Sequence, residues 1–230
     1  MLLRSGGNAV GFRGMDRRLR DIAQLAFSKL DRWQRRSLEI RSGDAIARRF
    51  ASFGSDSVIG YPRVELVGTE SVVIGNDVTI RSYVAIEAMS TPDKVVLRVG
   101  DRSHIGHHVR FVAVNGIFLE DDVGIGHGTT IADTIHVWKD AADDQVAWQT
   151  PLKVGRPITI GRGAWIGNLC TITGGITIGA GSIIRPSSVI TRDVPPDTMV
   201  GGNPPQVLRR KIDGRWEWMV DPSAFEIETR

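Results

Sequence analysis

Residues Ile160–Pro195 read IGRGAW IGNLCT ITGGIT IGAGSI IRPSSV ITRDVP, six consecutive hexads that each open on isoleucine. Earlier in the chain, Ile74–Thr91 reads IGNDVT IRSYVA IEAMST, Val99–Gly116 reads VGDRSH IGHHVR FVAVNG, and Leu119–His136 reads LEDDVG IGHGTT IADTIH. All fifteen hexads open on Ile, Val, Leu or Phe, with Gly frequent at position two and Val, Ser or Thr at position five. Alternation with period two is common to any strand. A six-residue phase held over fifteen units is not expected of a sandwich. It fits short strands joined by tight corners, each side turning one aliphatic residue toward a shared axis. Gly and Asn-Asp or Gly-Arg pairs supply the corners. Three sides close one coil, and coils stack at the strand spacing of about 4.8 Å. The expected fold is mainly β, a parallel β-helix over 56–200 with a protruding loop at 137–157. A basic helical segment at 1–55 precedes it and a C-terminal extension at 201–230 follows it. The stretch VIGYPRVELVGTESV, starting at Val58, reads as an imperfect first coil.

The chain has 230 residues, 41% hydrophobic and 24% charged, a globular composition with room for one or two domains. No apolar run approaches the length of a bilayer span, and MLLRSGGNAV shows no signal-peptide core. With Cys170 as the single cysteine, no internal disulfide forms, which fits a reduced, cytoplasmic setting. Residues 1–50 carry twelve Lys/Arg and five Asp/Glu, a net of +7, so the other residues carry 3 − 7 = −4. The basic character belongs to the N-terminal arm. A nucleic-acid domain would spread basic residues and aromatics over the fold, so no nucleic-acid partner is expected.

Counted in threes, the coils are 74–91, 99–116, 119–136, 160–177 and 178–195. Each of the three interruptions, near 90–98, at 117–118 and at 137–159, falls after a third hexad. The chain therefore leaves the prism at one edge in successive layers. Glu87, Asn115 and His136 all lie in third hexads, within about two layers or roughly 10 Å of one another. Loops on a rigid scaffold commonly carry chemistry. An imidazole at the mouth of the longest loop suits a general base near neutral pH, and Asp133 is placed to orient or polarise it.

IADTIH, then ITIGRGAWIGNLCTITGGITIG, then SVITRDVPPDTMVGGNPPQVLRR give the order Asp-x-x-His, loop, Trp-Ile-Gly, Gly-x-x-Ile-Gly, Gly-Asn-Pro and a basic end. This spelling resembles the hexapeptide-repeat acetyltransferases over roughly 58–210. The strongest resemblance is to bacterial polysaccharide and lipopolysaccharide O-acetyltransferases. The resemblance implies a left-handed β-helix, against the usual crossover hand, and a homotrimer with sites between subunits. It implies acetyl-CoA as donor, a saccharide acceptor and direct transfer with His136 as base. It further implies that Asn115 holds the acceptor. Trp165 would line the CoA tunnel, Thr191 and Arg192 would lie near the CoA arm, and Arg209 with its neighbour Arg210 would meet the CoA phosphates. Glu87 is a candidate for a substrate hydroxyl. In the 137–157 loop, Trp138 and Trp148 offer faces for a sugar ring or for a subunit interface. Three features depart from the family. Arg185-Pro-Ser-Ser188 replaces Gly-Ala-Gly-Ser, Thr134 replaces a first histidine, and the motif ends Gly-Asn-Pro-Pro. Arg185 adds bulk and Pro186 lacks an N–H where the family offers small residues and backbone to the pantetheine.

From Asp16, Leu19, Ile22, Ala26, Leu30 and Trp33 recur at helical spacing among arginines. This amphipathic helix either caps the open end of the β-helix or meets an anionic membrane face from the inside of the cell. The second reading would suit a lipid-linked glycan acceptor. Two alternatives share the fold: nucleotide-sugar N-acetylation and streptogramin-type antibiotic acetylation. A different class is the γ-type carbonic anhydrase, with three histidine zinc ligands. His107 and His127 occupy hexad position three while His104 ends its hexad, so the three nitrogens diverge and no metal is expected.

Overall fold

The computed structural model describes residues 17–91, 93–136, 146, 150 and 152–224. It divides into two units, Met1–Leu38 and Glu39–Arg230. In the first, α1 spans Arg17–Ser37 and its Ile22, Leu25, Leu30 and Trp33 are exposed. Among the described residues no helix is long and apolar enough to cross a membrane.

The second unit is a β-solenoid of three sheets, parallel through its body. The first sheet stacks Ser52–Phe53, Val72–Ile74, Leu97–Val99, Ile117–Leu119, Ile158–Ile160 and Thr177–Ile178. The second stacks Val58–Ile59, Thr79–Ile80, His104–Ile105, Gly124–Ile125, Trp165–Ile166, Ile183–Ile184 and Thr198–Gly201. The third stacks Glu65–Val67, Ala85–Ala88, Arg110–Ala113, Thr130–Ala132, Thr171–Thr173 and Val189–Ile190. The hexad phase sets this register directly. Position-one residues pair coil on coil: Ile74 with Val99, Leu119 with Ile160, Ile105 with Ile125, and Phe111 with Ile131. These side chains are buried and form one continuous core. Each such side chain taken from water contributes roughly 1.5–3 kcal/mol.

Position five is buried too in the first two hexads of each coil, and its hydroxyls there are bonded. Thr129 Oγ1 donates to the Gly167 carbonyl (2.9 Å) and accepts from the Cys170 amide (3.1 Å). Ser182 Oγ donates to the Pro195 carbonyl (2.8 Å). These hydroxyls satisfy corner groups that would otherwise be stranded. Position four takes the left-handed conformation at Asp77, Tyr83, Arg102, His108, Asp122, Leu169 and Ser187. The corners therefore tolerate non-glycine residues at some conformational cost. Position-two glycine answers a different need. A Cβ on Gly167 would stand 2.5 Å from the Pro186 nitrogen of the next coil.

The second sheet is closed at both ends by antiparallel pairing. Ile40–Arg41 lies against Val58–Ile59, and Gln206–Ile212 lies against Thr198–Gly201 and pairs onward with Arg215–Trp218. The strands thus begin before residue 56 and continue past residue 200.

Candidate functional site

Every long excursion leaves between a third-sheet strand and the following first-sheet strand. The edge joining the third and first sheets lies across the core from the second sheet. At this edge the chain leaves the third coil as the strand Thr134–His136. It returns as Leu152–Val154, paired antiparallel with Thr134 opposite Val154 and His136 opposite Leu152. The side chain of His136 and the whole of Trp138 and Trp148 lie outside the described residues.

Asp133, the last residue before this hairpin, is only 1% exposed. Its carboxylate accepts from the amides of Val114 (3.0 Å), Asn115 (2.7 Å) and Gly116 (2.6 Å). The sequence offered Asp133 as a group to orient the histidine. In the structure its oxygens are engaged by the preceding coil's corner. Asn115 is also engaged: its Nδ2 donates to the Gly155 carbonyl (2.8 Å), and its Oδ1 accepts from Lys94 Nζ (3.1 Å). Gly155 N donates back to the Asp133 carbonyl (3.0 Å). Beside these groups lies a cavity of about 250 Å³ lined by Asp133, Ile135, Lys153, Gly155, Gly174 and Gly175. Sequence reasoning missed Lys94, Lys153 and Gly155. All three stand outside the hexads, so the repeat carries no signal for them.

Glu87 does not reach this corner. It stacks on Val112, three positions before Asn115, and pairs with Arg110 (2.5 Å). Thr191 and Arg192 are exposed and follow Val189–Ile190 of the third sheet, at the same edge as Asp133 but further along the stack. Trp165, Arg209 and Arg210 belong instead to the second sheet. Trp165 is 51% exposed, and its indole lies over Gly124, where any Cβ would collide with the ring. Arg209 donates from Nη2 to the Trp216 carbonyl (2.9 Å), and its guanidinium sits 4.7 Å from the centre of the Trp218 ring. Arg210 is exposed opposite Thr198. Trp165, Arg209 and Arg210 therefore stand on a different face of the prism from Asp133, Asn115, Thr191 and Arg192.

Two of the three departures from the family's spelling meet. Arg185 and Pro186 line one cavity of about 560 Å³ with Gly202, Asn203, Pro204 and Gln206. Cys170 is buried, with its Sγ 3.2 Å from the Arg185 carbonyl, and burial pushes its thiol pKa up. That suits a core residue and not a nucleophile.

The histidines form a corner ladder. His107 Nδ1 lies 2.8 Å from Ser82 Oγ, His127 Nδ1 accepts from the His107 amide (2.8 Å), and Asn168 Oδ1 accepts from the His127 amide (2.9 Å). The rings of His107 and His127 stack with centroids 5.2 Å apart. Burial, then neighbouring positive groups, lowers the pKa of His104 and His107. One nitrogen of His107 and one of His127 are spent on the ladder. Among the described residues no cluster of three or more His, Cys, Asp or Glu is placed to hold a metal.

Residues 157–192 match the family described as bacterial transferase hexapeptide (six repeats). Nodulation protein L of Rhizobium meliloti is 39% identical over 45% of this chain and 57% of its own length. Galactoside O-acetyltransferase of Escherichia coli is 34% identical over 52% of this chain and 59% of its own. The chain thus spans less than two thirds of these relatives. A hexapeptide-repeat-containing acetyltransferase of Vibrio cholerae, solved with acetyl-coenzyme A, is 28% identical with a TM-score of 0.50, over 73% of this chain and 74% of that one. AntD, an N-acyltransferase from Bacillus cereus solved with dTDP and coenzyme A, has a TM-score of 0.62 at 19% identity, over 72% and 88%, and shares the fold. By its hexads and its three stacked sheets the chain is a β-helix of hexapeptide repeats, and named acetyltransferases are among the proteins it is similar to.

Proposed function

We propose that the protein is an acetyl-CoA-dependent O-acetyltransferase acting on a saccharide hydroxyl, with His136 as general base. The observation that carries this reading is the exit of the Asp133-x-x-His136 strand at the shared edge of the coils, beside a cavity. A relative named galactoside O-acetyltransferase supports it. The acceptor hydroxyl loses its proton to His136 as its oxygen attacks the thioester carbonyl. The tetrahedral oxyanion then collapses, the C–S bond breaks, and the leaving thiolate takes the proton back. The products are an acetyl ester and free CoA thiol. No acyl-enzyme is needed, in keeping with the buried Cys170. General-base assistance of this kind contributes about 10²–10⁴-fold.

Trp165, Arg209 and Arg210 take the CoA side in this reading, Thr191 and Arg192 flank the edge, and Trp138 falls to the acceptor side. Trp165, Arg209 and Arg210 stand on the second sheet, away from the edge of His136, so in this reading a second copy completes the site. The homotrimer expected from the family does this. Arginine forks suit phosphate oxygens, and Arg210 is exposed.

The reading includes peripheral contact with an anionic membrane at its cytoplasmic face, and a lipid-linked glycan in polysaccharide biosynthesis as acceptor. It is supported by the exposed Ile22, Leu25, Leu30 and Trp33 of α1, on a helix that also carries exposed Arg17, Lys29 and Arg36.

The test is to incubate the protein with acetyl-CoA and separate pools of hydroxyl-bearing glycans and amino sugars. Thiol release and the product's mass are followed. An ester product supports the reading. An amide alone moves it to N-acetylation, and no thiol release with any pool removes it.

A further inference from the structure

The edge carrying His136 is closed by a ring of contacts that no hexad predicts. It runs from the Asp133 carboxylate to the Asn115 amide, through the Asn115 side chain to the Gly155 carbonyl, and from the Gly155 amide to the Asp133 carbonyl. The hairpin leaves the solenoid at Asp133 and returns at Gly155, so this ring ties the two feet of the hairpin together. Lys94 adds a strut from the excursion of the coil before. Asp133 is buried, and three amides converge on it, an arrangement that fixes both the carboxylate and the 114–116 corner. Asn115 alone spans from that corner to the returning foot.

We propose that Asp133 and Asn115 are positioning residues: they form a clamp that sets where the strand Thr134–His136 leaves the solenoid, and Asn115 is not an acceptor ligand. The essential contact is the Asn115 Nδ2–H donated to Gly155. The inference rests on His136 being the base, because the clamp's value lies in what that strand carries. A reacting group displaced by about 1 Å can lose about a hundredfold in rate. One of the two Asn115 Nδ2 hydrogens is already bonded within the chain, which holds the side chain against the returning foot.

The variants Asn115→Ala and Asn115→Asp test it. The carboxylate variant would keep an oxygen for Lys94 and lose the donor to Gly155. Two readouts are taken: steady-state kinetics, and hydrogen–deuterium exchange of the amides in 134–136 and 152–156. Both variants are expected to lower kcat about ten- to a hundredfold, with KM for acetyl-CoA and acceptor within about twofold. Exchange in the hairpin should quicken about tenfold or more while the third-sheet amides of 110–113 and 130–132 keep their protection. A raised acceptor KM with unchanged kcat and unchanged exchange would make Asn115 a substrate ligand and overturn the clamp. Wild-type behaviour in Asn115→Asp would shift the role to Lys94 and overturn it too. The exchange readout needs no substrate, so it judges the clamp even if the wild-type protein transfers no acetyl group.

Discussion

Two edges of the solenoid use the same chemistry to different ends. Along the ladder Ser82–His107–His127–Asn168, all at hexad position three, His127 and Asn168 each accept the backbone amide of the residue one rung before. At the edge of Asp133 the bonds also join side chain to backbone, but they reach from 133 to 114–116 and from 115 across to 155. The ladder extends a pattern, whereas the clamp closes a gap where the pattern stops. Periodic contacts stabilise the stack, and contacts at an interruption hold a departure in place.

The contrast can be broken most directly in the core. Phe111 is fully buried on the third sheet. Phe111→Ala should cost about 3–5 kcal/mol, read by chemical denaturation, and should lower every probe of the fold together. A change confined to one coil would show that the stack is not a single cooperative body. Next comes His136→Ala. Thiol release should fall about a hundredfold or more, or roughly 2.7 kcal/mol in barrier, with the melting temperature unchanged. Retained activity would remove the histidine from the mechanism. Trp165→Ala is expected to weaken CoA binding by roughly tenfold in titration calorimetry. Equal affinity would return Trp165 to a packing role over Gly124.

The smallest effect is on pH. His104 and His107 have lowered pKa values in the folded protein, so the unfolded chain takes up protons first as pH falls. Their contribution is intact above about pH 6.5, the ordinary histidine value, and is lost as pH drops from there toward the folded values. Ser82→Ala removes the hydroxyl beside His107 and should alter that acid limb. An identical pH–stability curve would detach the ladder from it.

The stack was legible because its determinants are local and repeated. One aliphatic residue per hexad sets the core, position four makes the corner, and glycine at position two, as at Gly167, lets neighbouring coils approach. The edge of the site was legible for the same reason, since interruptions stand out against a regular phase. The clamp was not. Its partners include four amides and two carbonyls, which have no residue signature, and Lys94 and Gly155 belong to excursions without period. Nor could spacing reveal that Arg209 is stacked on Trp218, because the hairpin that joins them lies beyond the repeats. The indole of Trp138 and the ring of His136 lie outside the described residues.

The antiparallel strands at the two ends of the second sheet also bear on how copies of this molecule meet. A parallel rung left bare would be a template for the next molecule, inviting nose-to-tail growth into filaments. Here Ile40–Arg41 and the 206–218 hairpin already occupy those terminal hydrogen-bonding rows. Through this sheet, copies cannot add end to end as a continued parallel row.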